Sequence, residues 1–273
     1  MIKAAVIGHP VAHSLSPLIH GYWFARYAID GDYKAIDIAP DEMLARVLDL
    51  KAQGYAGFNV TVPHKQNIMA VCDTLDNTAH AIGAVNTVVI TEGRLEGRNT
   101  DAFGFIENIR QEAPAFDFTK GPALVLGAGG AARAIVYGLL EAGVPEIRLA
   151  NRTRAHAESI ARDFRNIQVI DWEERAKACH DTHLLANATV LGMKGQAALE
   201  MDISGLPPMA LVCDIVYKPL MTTLLSNAKA RNLQIVTGIG MLLHQARPAF
   251  AAWTGIMPEV TPDLAAMIGE RAL

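Results

Sequence analysis

Cysteine is scarce in this chain of 273 residues, which has only three, an odd number. They are Cys72, Cys179 and Cys213. Such wide spacing offers neither a disulfide framework nor the close cysteine pairs of a zinc site. His9 and His13 stand near each other, but Pro10 between them indicates a loop, which excludes a helical pair of metal ligands. We therefore expect a reducing, cytoplasmic location and no metal.

The chain also has no basic run and no long apolar run. It carries 24 Lys and Arg against 28 Asp and Glu, a formal net charge of −4. A nucleic-acid surface needs clustered cations, so nucleic acid is not an expected partner. The most apolar window, 123–144, is broken by glycines and Arg133 before the ~20 apolar residues of a membrane span. The first ten residues do not resemble a signal peptide, and no membrane association is expected.

What the chain does contain is typical of a folded α/β protein. Hydrophobic residues make up 51% of the sequence, and 273 residues suffice for about two domains. Short β-branched runs alternate with longer amphipathic runs, which indicates α/β architecture with parallel sheets. The predicted strands are 3–8, 33–38, 57–62, 84–90, 94–99, 123–128, 146–151, 167–171, 183–190, 210–217 and 234–238. The predicted helices are 17–29, 41–54, 131–143, 153–164, 241–253 and 263–273. The prolines and glycine of 112–122 mark a connection between two units.

A glycine-rich loop follows the strand 123–128. Gly127, Gly129 and Ala132 form G-x-G-x-x-A between a predicted strand and a predicted helix. The first glycine permits a tight turn, the second lets backbone N–H groups approach a pyrophosphate, and the small third residue lets helix and strand pack closely. The pattern therefore indicates a dinucleotide site, with an ordinary tight turn between strand and helix as the alternative.

The residues after the next strand indicate which dinucleotide binds. An acid there would contact a ribose 2′-hydroxyl, whereas arginine would pair with a 2′-phosphate. The chain has Arg152 and Arg154 and no acid, which favours NADP over NAD. The alternative is that both arginines are solvated residues at the start of a helix, where cations are slightly disfavoured.

Two serines precede the first predicted helix. Ser16 as N-cap with Pro17 at the first helical position is a sufficient local explanation. The alternative is a carboxylate site, because Ser14 and Ser16 place hydroxyls beside a helix N-terminus.

Four other polar residues lie at the ends of predicted strands, where ligands of open α/β sheets collect. They are Thr61, Lys65, Asn86 and Asp101. A carbonyl that accepts a hydride also needs a proton, so a dehydrogenase requires a positioned acid that serves as base in reverse. Lys65 paired with Asp101 would supply it; the alternative is an ordinary surface lysine.

A series of motifs runs in order along nearly the whole chain. They are VIGHPVAHSLSP, NVTVPHK, GAVNT, NTDAFGF, LGAGGAARA, NRTR, NATVLGM, DIVYKPLMTTLL and GIGMLLHQARPAF. Together they resemble the shikimate dehydrogenase family. The resemblance implies an enzyme in which NADPH reversibly reduces 3-dehydroshikimate to shikimate, on the route to chorismate and the aromatic amino acids.

The resemblance also implies a role for each site residue. Lys65 is the implied catalytic acid and base and Asp101 its partner, both in contact with substrate. Ser14 and Ser16 would hold the substrate carboxylate. The residues implied around the substrate hydroxyls are Thr61, Asn86, Tyr217 and Gln245. Those implied for NADP are Gly127, Ala128, Gly129, Gly130 and Ala131 at the pyrophosphate, Asn151, Arg152, Thr153 and Arg154 at the 2′-phosphate, and Ile215 and Gly238 near the nicotinamide.

The implied fold is α/β with two domains. Residues 1–102 plus 239–273 would form an α/β substrate-binding and catalytic domain, and 103–238 an inserted Rossmann-type NADP-binding domain. The last helices would return to the first domain, and the protein is expected to be a monomer or a homodimer. Two features depart from the family pattern. Val190 stands where serine is frequent, and Pro248 lies in the predicted helix that carries Gln245, where a kink is expected.

Three other functions remain open at this point. A quinate or quinate/shikimate dehydrogenase is a close alternative, although an arginine pair without an acid counts against an NAD-preferring version. A methylenetetrahydrofolate dehydrogenase-like enzyme could share the two-domain plan, but its chemistry does not call for the SLS, NTD and Tyr217 set. A non-enzymatic ligand sensor would not need to keep both Lys65 and Asp101.

Overall fold

The computed structural model describes Met1–Ala272 and has the α/β architecture that the sequence predicts. The chain divides into two compact units. The first consists of Met1–Asp101 and Leu242–Arg271, and the continuous part of the second is Ala102–Met241. The division expected from the sequence, 1–102 with 239–273 against 103–238, differs from this one by a few residues.

The first unit is built on a six-stranded sheet. Its strands are β1 (Ile2–Gly8), β2 (Gly31–Asp37), β3 (Gly57–Val60), β4 (Thr74–Leu75), β5 (Thr87–Thr91) and β6 (Arg94–Arg98). Its helices before residue 101 are α1 (Ser16–Arg26), α2 (Met43–Ala52), α3 (Asn77–Ile82) and a 3-10 helix at Asn67–Val71. The strand order is β2-β1-β3-β5-β6-β4. The β1 strand pairs in parallel with β2 and β3, but β5 is antiparallel to both β3 and β6. This sheet is therefore mixed, and the expectation of parallel strands holds only for part of it.

A tight turn at Glu92 and Gly93 joins β5 to β6. Glu92 and Gly93 have φ values of 51° and 73°. Two successive residues with positive φ form a tight hairpin turn whose twist matches that of the flanking strands, and glycine is favoured in it because it lacks a Cβ. The turn joins antiparallel neighbours and so accounts for the mixed character of the sheet.

The last part of the chain packs on the first unit. The helix α8 (Gly238–Thr254) runs through Pro248, and α9 (Pro262–Ala272) follows it. Trp253 Nε1 donates to the carbonyl of Val88 in β5 at 3.2 Å, and Trp23 Nε1 in α1 donates to the carbonyl of Glu259 at 3.0 Å. These bonds fix the C-terminal segment to the sheet and to α1, in agreement with the expectation that the final helices return to the first domain.

The second unit is built on a parallel six-stranded sheet. Its strands are β7 (Ala123–Leu126), β8 (Ile147–Ala150), β9 (Ile167–Ile170), β10 (Leu184–Asn187), β11 (Leu211–Asp214) and β12 (Gln234–Val236). Its helices are α4 (Asp101–Glu112, which begins at the last residue of the first unit), α5 (Gly130–Glu141), α6 (Arg154–Asp163) and α7 (Thr223–Ala230). The order β12-β11-β10-β7-β8-β9 is that of a Rossmann sheet, and it reverses between β7 and β10. Ligands of such sheets bind at the carboxyl ends of the strands at that reversal.

Both faces of this second sheet are buried. In β7, Ala123 and Val125 pack in one apolar cluster, whereas Leu124 and Leu126 pack in another. Alternate side chains of a strand point to opposite faces, so helices and loops cover the sheet on both sides. This explains why β7 reads as a continuous apolar run in the sequence.

Some of the predicted boundaries are wrong. The segment 112–122, predicted from its prolines to connect two units, lies within the second unit and joins α4 to β7. The helices α3, α4 and α7 are absent from the sequence prediction. The helix α4 contains Gly104, which lowers the helical propensity of the segment.

Three negative findings apply to Met1–Ala272. The three cysteines are free thiols. No cluster of three or more His, Cys, Asp or Glu side chains that could hold a metal ion is found in this range. None of the helices described has the length and apolarity that a membrane crossing requires.

Candidate active site

The polar residues predicted in the first half of the chain meet at one edge of the first unit's sheet. The ends of β1 and β3 coincide there, because Ile7 lies opposite Val60. The start of β5 and the end of β6 lie at the same edge, since Thr87 is opposite both Asn59 and Arg98. The segments that leave this edge carry Ser14, Thr61, Lys65, Asn86 and Asp101.

Lys65 and Asp101 form an ion pair at this edge. The Lys65 Nζ donates to Asp101 Oδ2 at 2.5 Å, and their side chains are only 16% and 6% exposed. The backbone carbonyl of Lys65 accepts from Val85 N at 2.7 Å, and Asp101 N donates to Asn99 Oδ1 at 2.9 Å. Both residues are therefore held by main-chain and side-chain bonds, and Lys65 is not an ordinary mobile surface lysine.

Asn86 links the ion pair to the C-terminal helix. Its Nδ2 lies 2.9 Å from Asp101 Oδ1 and 2.8 Å from Thr100 Oγ1. It also lies 3.3 Å from Gln245 Oε1, and Gln245 Nε2 donates to the carbonyl of Leu242 at 3.0 Å. Four residues named from the sequence, Lys65, Asp101, Asn86 and Gln245, thus form one hydrogen-bonded chain.

The capping interpretation of Ser16 is wrong. The N-cap of α1 is Leu15, and Ser16 is the first helical residue and makes no capping hydrogen bond. The hydroxyl of Ser14 instead accepts from Ser16 N at 3.3 Å. N-cap preferences favour a residue with a side-chain hydroxyl, but in S-L-S-P they do not decide which of the two serines bonds to the helix N-terminus.

A buried polar network behind the edge is absent from the sequence prediction. The Tyr33 hydroxyl donates to Asn59 Oδ1 at 2.6 Å, and Asn59 Nδ2 donates to Thr87 Oγ1 at 3.0 Å. Thr87 in turn donates to Asn86 Oδ1 at 3.0 Å. Burial raises the pKa of Tyr33 well above its usual range, so the phenol stays a donor. The signal in the sequence is Asn59 itself, a polar residue in the apolar strand GFNV that must find partners when buried.

The glycine loop of the second unit has the geometry that the pattern predicts. Gly127 follows β7 with φ +111°, and a Cβ there would lie 2.9 Å from the carbonyl oxygen of Ala188. Gly129 is the N-cap of α5, and a Cβ there would meet nothing within 4 Å. Ala132 is fully buried in the core between helix and sheet. Gly127 allows the turn, the first N–H groups of α5 border open space at Gly129, and Ala132 allows close packing.

The two arginines after β8 differ in their surroundings. Arg154 Nη1 lies 2.6 Å from Asp171 Oδ1, and its Nε lies 2.9 Å from Glu158 Oε1. Arg152 is exposed and takes part in no ion pair with residues of Met1–Ala272. Asn151 Nδ2 donates to the carbonyl of Thr153 at 2.9 Å and so shapes the turn that presents Arg152. Arg152 is therefore the guanidinium available to an external anion.

Ile215 and Gly238 lie together, although 23 positions separate them in the sequence. The first residue of α8, Gly238, approaches the main chain after β11 so closely that a Cβ would lie 2.7 Å from the carbonyl oxygen of Val216. Tyr217 is part of the same segment and thus lies in the second unit, apart in the chain from the other residues implied at the substrate. Burial raises the pKa of Tyr217, which keeps its hydroxyl protonated.

These features fit a dinucleotide that carries a 2′-phosphate. The open helix N-terminus at Gly129 suits a pyrophosphate, and the unpaired Arg152 suits a second, more distant phosphate. Asn151 offers no carboxylate to repel that phosphate.

Comparison with known proteins decides the family. Residues 6–88 match the model of the shikimate dehydrogenase substrate binding domain, 110–192 that of shikimate / quinate 5-dehydrogenase, and 238–268 that of the shikimate 5′-dehydrogenase C-terminal domain. A shikimate dehydrogenase (NADP+) of Paramagnetospirillum magneticum is 52% identical over 267 residues, 97% of each chain. The chain belongs to the shikimate dehydrogenase family.

Solved structures agree with this family membership. The shikimate 5-dehydrogenase of Thermus thermophilus, in complex with NADP(H) and shikimate, is 40% identical with a TM-score of 0.89 and full coverage, 100%, of both chains. The quinate dehydrogenase of Corynebacterium glutamicum, in complex with NAD, reaches the same TM-score of 0.89 at 27% identity, over 99% of this chain and 98% of that one. The fold is therefore shared by shikimate and quinate dehydrogenases.

Proposed function

We propose that Lys65 is the catalytic acid and base of this enzyme and that Asp101 holds its ammonium in place. The chain is an NADP-dependent oxidoreductase that reversibly reduces 3-dehydroshikimate to shikimate, in aromatic amino acid biosynthesis. The observation that carries the assignment of Lys65 is its 2.5 Å pair with Asp101 at the sheet edge, next to Asn86 and Gln245.

The proposed proton transfer follows from this pair. Bound NADPH supplies the hydride that reduces the ring carbonyl. The oxygen of that carbonyl gains negative charge and takes one proton, which Lys65 donates from Nζ. In the reverse direction the neutral amine of Lys65 accepts the proton of the substrate hydroxyl. Asp101 is bound at both oxygens, by Lys65 at Oδ2 and by Asn86 at Oδ1, so its carboxylate restricts Nζ to a narrow range of positions.

The substrate contacts are proposed on the same edge. Ser14 and Ser16 bind the carboxylate at the start of α1, where the helix N-terminus favours an anion and where Ser16 has no capping role. Thr61, Asn86, Gln245 and Tyr217 bind ring hydroxyls. Lys65 and Asp101 contact the hydroxyl that is oxidised. In this proposal, residues 1–102 and 239–273 form the substrate domain.

The cofactor contacts are proposed on the second unit, with 103–238 as the NADP-binding domain. The pyrophosphate binds at the loop residues Gly127, Ala128, Gly129, Gly130 and Ala131. The 2′-phosphate binds at Asn151, Arg152, Thr153 and Arg154, with Arg152 as its main cation because Arg154 is already paired with two carboxylates. Ile215 and Gly238 contact the nicotinamide.

We further propose that the enzyme works in the cytoplasm as a monomer or a homodimer. Its partners in this proposal are small molecules, with no part for nucleic acid or a membrane. Three free cysteines are compatible with a reducing compartment.

The experiment that tests this function compares two substrates and two cofactors. Formation of the reduced cofactor is followed by absorbance with shikimate and then quinate, each with NADP and with NAD. We expect the largest kcat/KM for shikimate with NADP. A larger value for quinate with NAD would instead support the quinate dehydrogenase alternative, which the shared fold allows but the exposed Arg152 does not favour.

A further inference from the structure

Asp214, the last residue of β11, is not among the residues proposed to contact substrate or cofactor. Its carboxylate is buried, at 1% exposure, and accepts three hydrogen bonds. The donors are Asn187 Nδ2 at 3.0 Å, Val216 N at 3.0 Å and Thr222 Oγ1 at 2.7 Å. Asp214 is not paired with a lysine or arginine in any ion pair of Met1–Ala272, so these three bonds are what stabilise it.

These bonds hold both ends of one segment. Val216 lies at the start and Thr222 at the end of the stretch 215–222 that joins β11 to α7. Thr222 is the N-cap of α7, and its hydroxyl accepts from Leu225 N at 3.3 Å while it donates to Asp214. One carboxylate therefore fixes the entry and the exit of the segment that carries Ile215 and Tyr217.

The same carboxylate also fixes the neighbouring loop. Asn187, the last residue of β10, donates to the carbonyl of Leu191 at 3.1 Å and accepts from Thr189 N at 3.0 Å. Its carbonyl accepts from Ile215 N at 3.1 Å. A further backbone bond, from Lys194 N to the carbonyl of Lys218 at 2.9 Å, joins the two loops. The loops after β10 and β11 are thus one connected structure, with Asp214 at its centre.

We propose that Asp214 is a positioning residue for catalysis: it clamps residues 215–222 so that Ile215 and Tyr217 meet cofactor and substrate in the productive arrangement. This inference rests on the function proposed above, since Tyr217 and Ile215 matter to turnover only if they contact the reactants. Misplacing a contact by about 1 Å can cost up to about 10²-fold in rate. If Asp214 had no such role, its replacement would lower the stability of the protein without lowering the activity of the folded fraction.

The test compares variants at Asp214 with a structural control in the same unit. Asp214→Ala removes all three acceptor contacts, whereas Asp214→Asn keeps an oxygen that can accept from Asn187 and Val216. Leu206→Ala serves as control, because Leu206 is 2% exposed in the core of the second unit and, although it lies in the connection from β10 to β11, its apolar side chain makes none of the hydrogen bonds around Asp214. Each variant is measured for thermal stability, for kcat and KM with shikimate and NADP, and for hydrogen exchange of residues 215–222.

We expect Asp214→Ala to lower kcat/KM by about 10- to 100-fold, mostly through KM, with faster exchange in 215–222. Asp214→Asn should recover most of the loss. Leu206→Ala should lower the Tm but leave kcat/KM and exchange in 215–222 unchanged. If Asp214→Ala does not fold, Thr222→Val is measured in its place. Of the three hydrogen bonds to Asp214, this variant removes only the one from Thr222, and it should still raise KM severalfold and speed hydrogen exchange near residue 222.

Two outcomes would overturn the inference. One is a kcat/KM for the folded Asp214 or Thr222 variant within twofold of wild type. The other is a loss of activity no larger than that of Leu206→Ala at an equal drop in Tm. If the wild-type chain itself turns over neither shikimate nor quinate, the proposed function fails, and the exchange data alone then decide whether Asp214 clamps the segment.

Discussion

Replacement of Lys65 is the perturbation that most sharply separates catalysis from binding. Lys65→Met keeps much of the aliphatic stem but removes the ammonium that lies 2.5 Å from Asp101 Oδ2. A general acid or base contributes about 10²- to 10⁴-fold, so kcat should fall by at least about 10²-fold, or about 3 kcal/mol in the barrier. The KM for shikimate should change much less, because Ser14, Ser16 and Asn86 remain.

The same substitution has a cost in stability that must be measured beside the rate. Asp101 is 6% exposed at its side chain, and removal of its cation leaves a nearly buried carboxylate with Asn86 as its side-chain donor. Removing one partner of a buried pair typically costs about 3–5 kcal/mol. Asp101→Asn together with Lys65→Met should regain part of this stability, because no charge then remains unpaired.

The assay is steady-state NADPH formation with folded protein, judged by circular dichroism and Tm. Lys34→Met is a matched control, because Lys34 is 61% exposed and pairs with Asp32 at the surface. It should leave kcat and KM unchanged. The double variant should be about as slow as Lys65→Met alone, since residues that act as a unit are not additive. A large rise in KM with unchanged kcat in Lys65→Met would refute the acid and base role and make Lys65 a binding residue.

Three further predictions concern the second unit. Arg152→Ala should raise the KM for NADP by about 10-fold or more and leave the KM for NAD unchanged. Arg154→Ala should have a smaller effect, because the Arg154 guanidinium is already paired with two carboxylates. Equal losses with both cofactors would contradict the 2′-phosphate assignment. Gly127→Ala should destabilise the protein by about 1–3 kcal/mol in urea unfolding and weaken NADP binding, since φ is +111° and Ala188 is close; an unchanged midpoint would contradict this. Burial raises the pKa of Asp214 from 3.8 to about 6. The protonated form of Asp214 therefore stabilises the folded state below about pH 4, and this contribution to stability is lost as the pH rises through 6. Wild type should lose about 3 kcal/mol relative to Asp214→Asn between pH 4 and 7, and a constant difference would refute the shift.

The strands and the glycine loop of the second unit follow the sequence closely, because local and global signals agree there. Its strands are apolar runs, and its glycine loop stands between strand and helix. The first unit is less predictable. Its sheet is mixed because the turn at Glu92 and Gly93 returns β6 beside β5, and a turn residue does not reveal on its own which strands will pair in parallel.

The candidate site shows the same division between local and tertiary information. Lys65 and Asp101 could be singled out as residue types at strand ends, but their 2.5 Å pairing depends on the register of β3, β5 and β6. The difference between Arg152 and Arg154 depends on Asp171, which lies 17 residues further along the chain from Arg154. The role of Asp214 depends on two loops that meet only in the folded unit. No pattern within one segment contains these contacts.

The acid and base role of Lys65 is tested most directly by incubating the purified, folded chain with 3-dehydroshikimate and NADPH and identifying the product by mass spectrometry. Shikimate should form in equal amount to the NADPH consumed, and the rate should be at least about 10²-fold lower with Lys65→Met. Folded protein that binds NADPH but forms no shikimate, or a Lys65→Met variant as fast as wild type, would contradict this role.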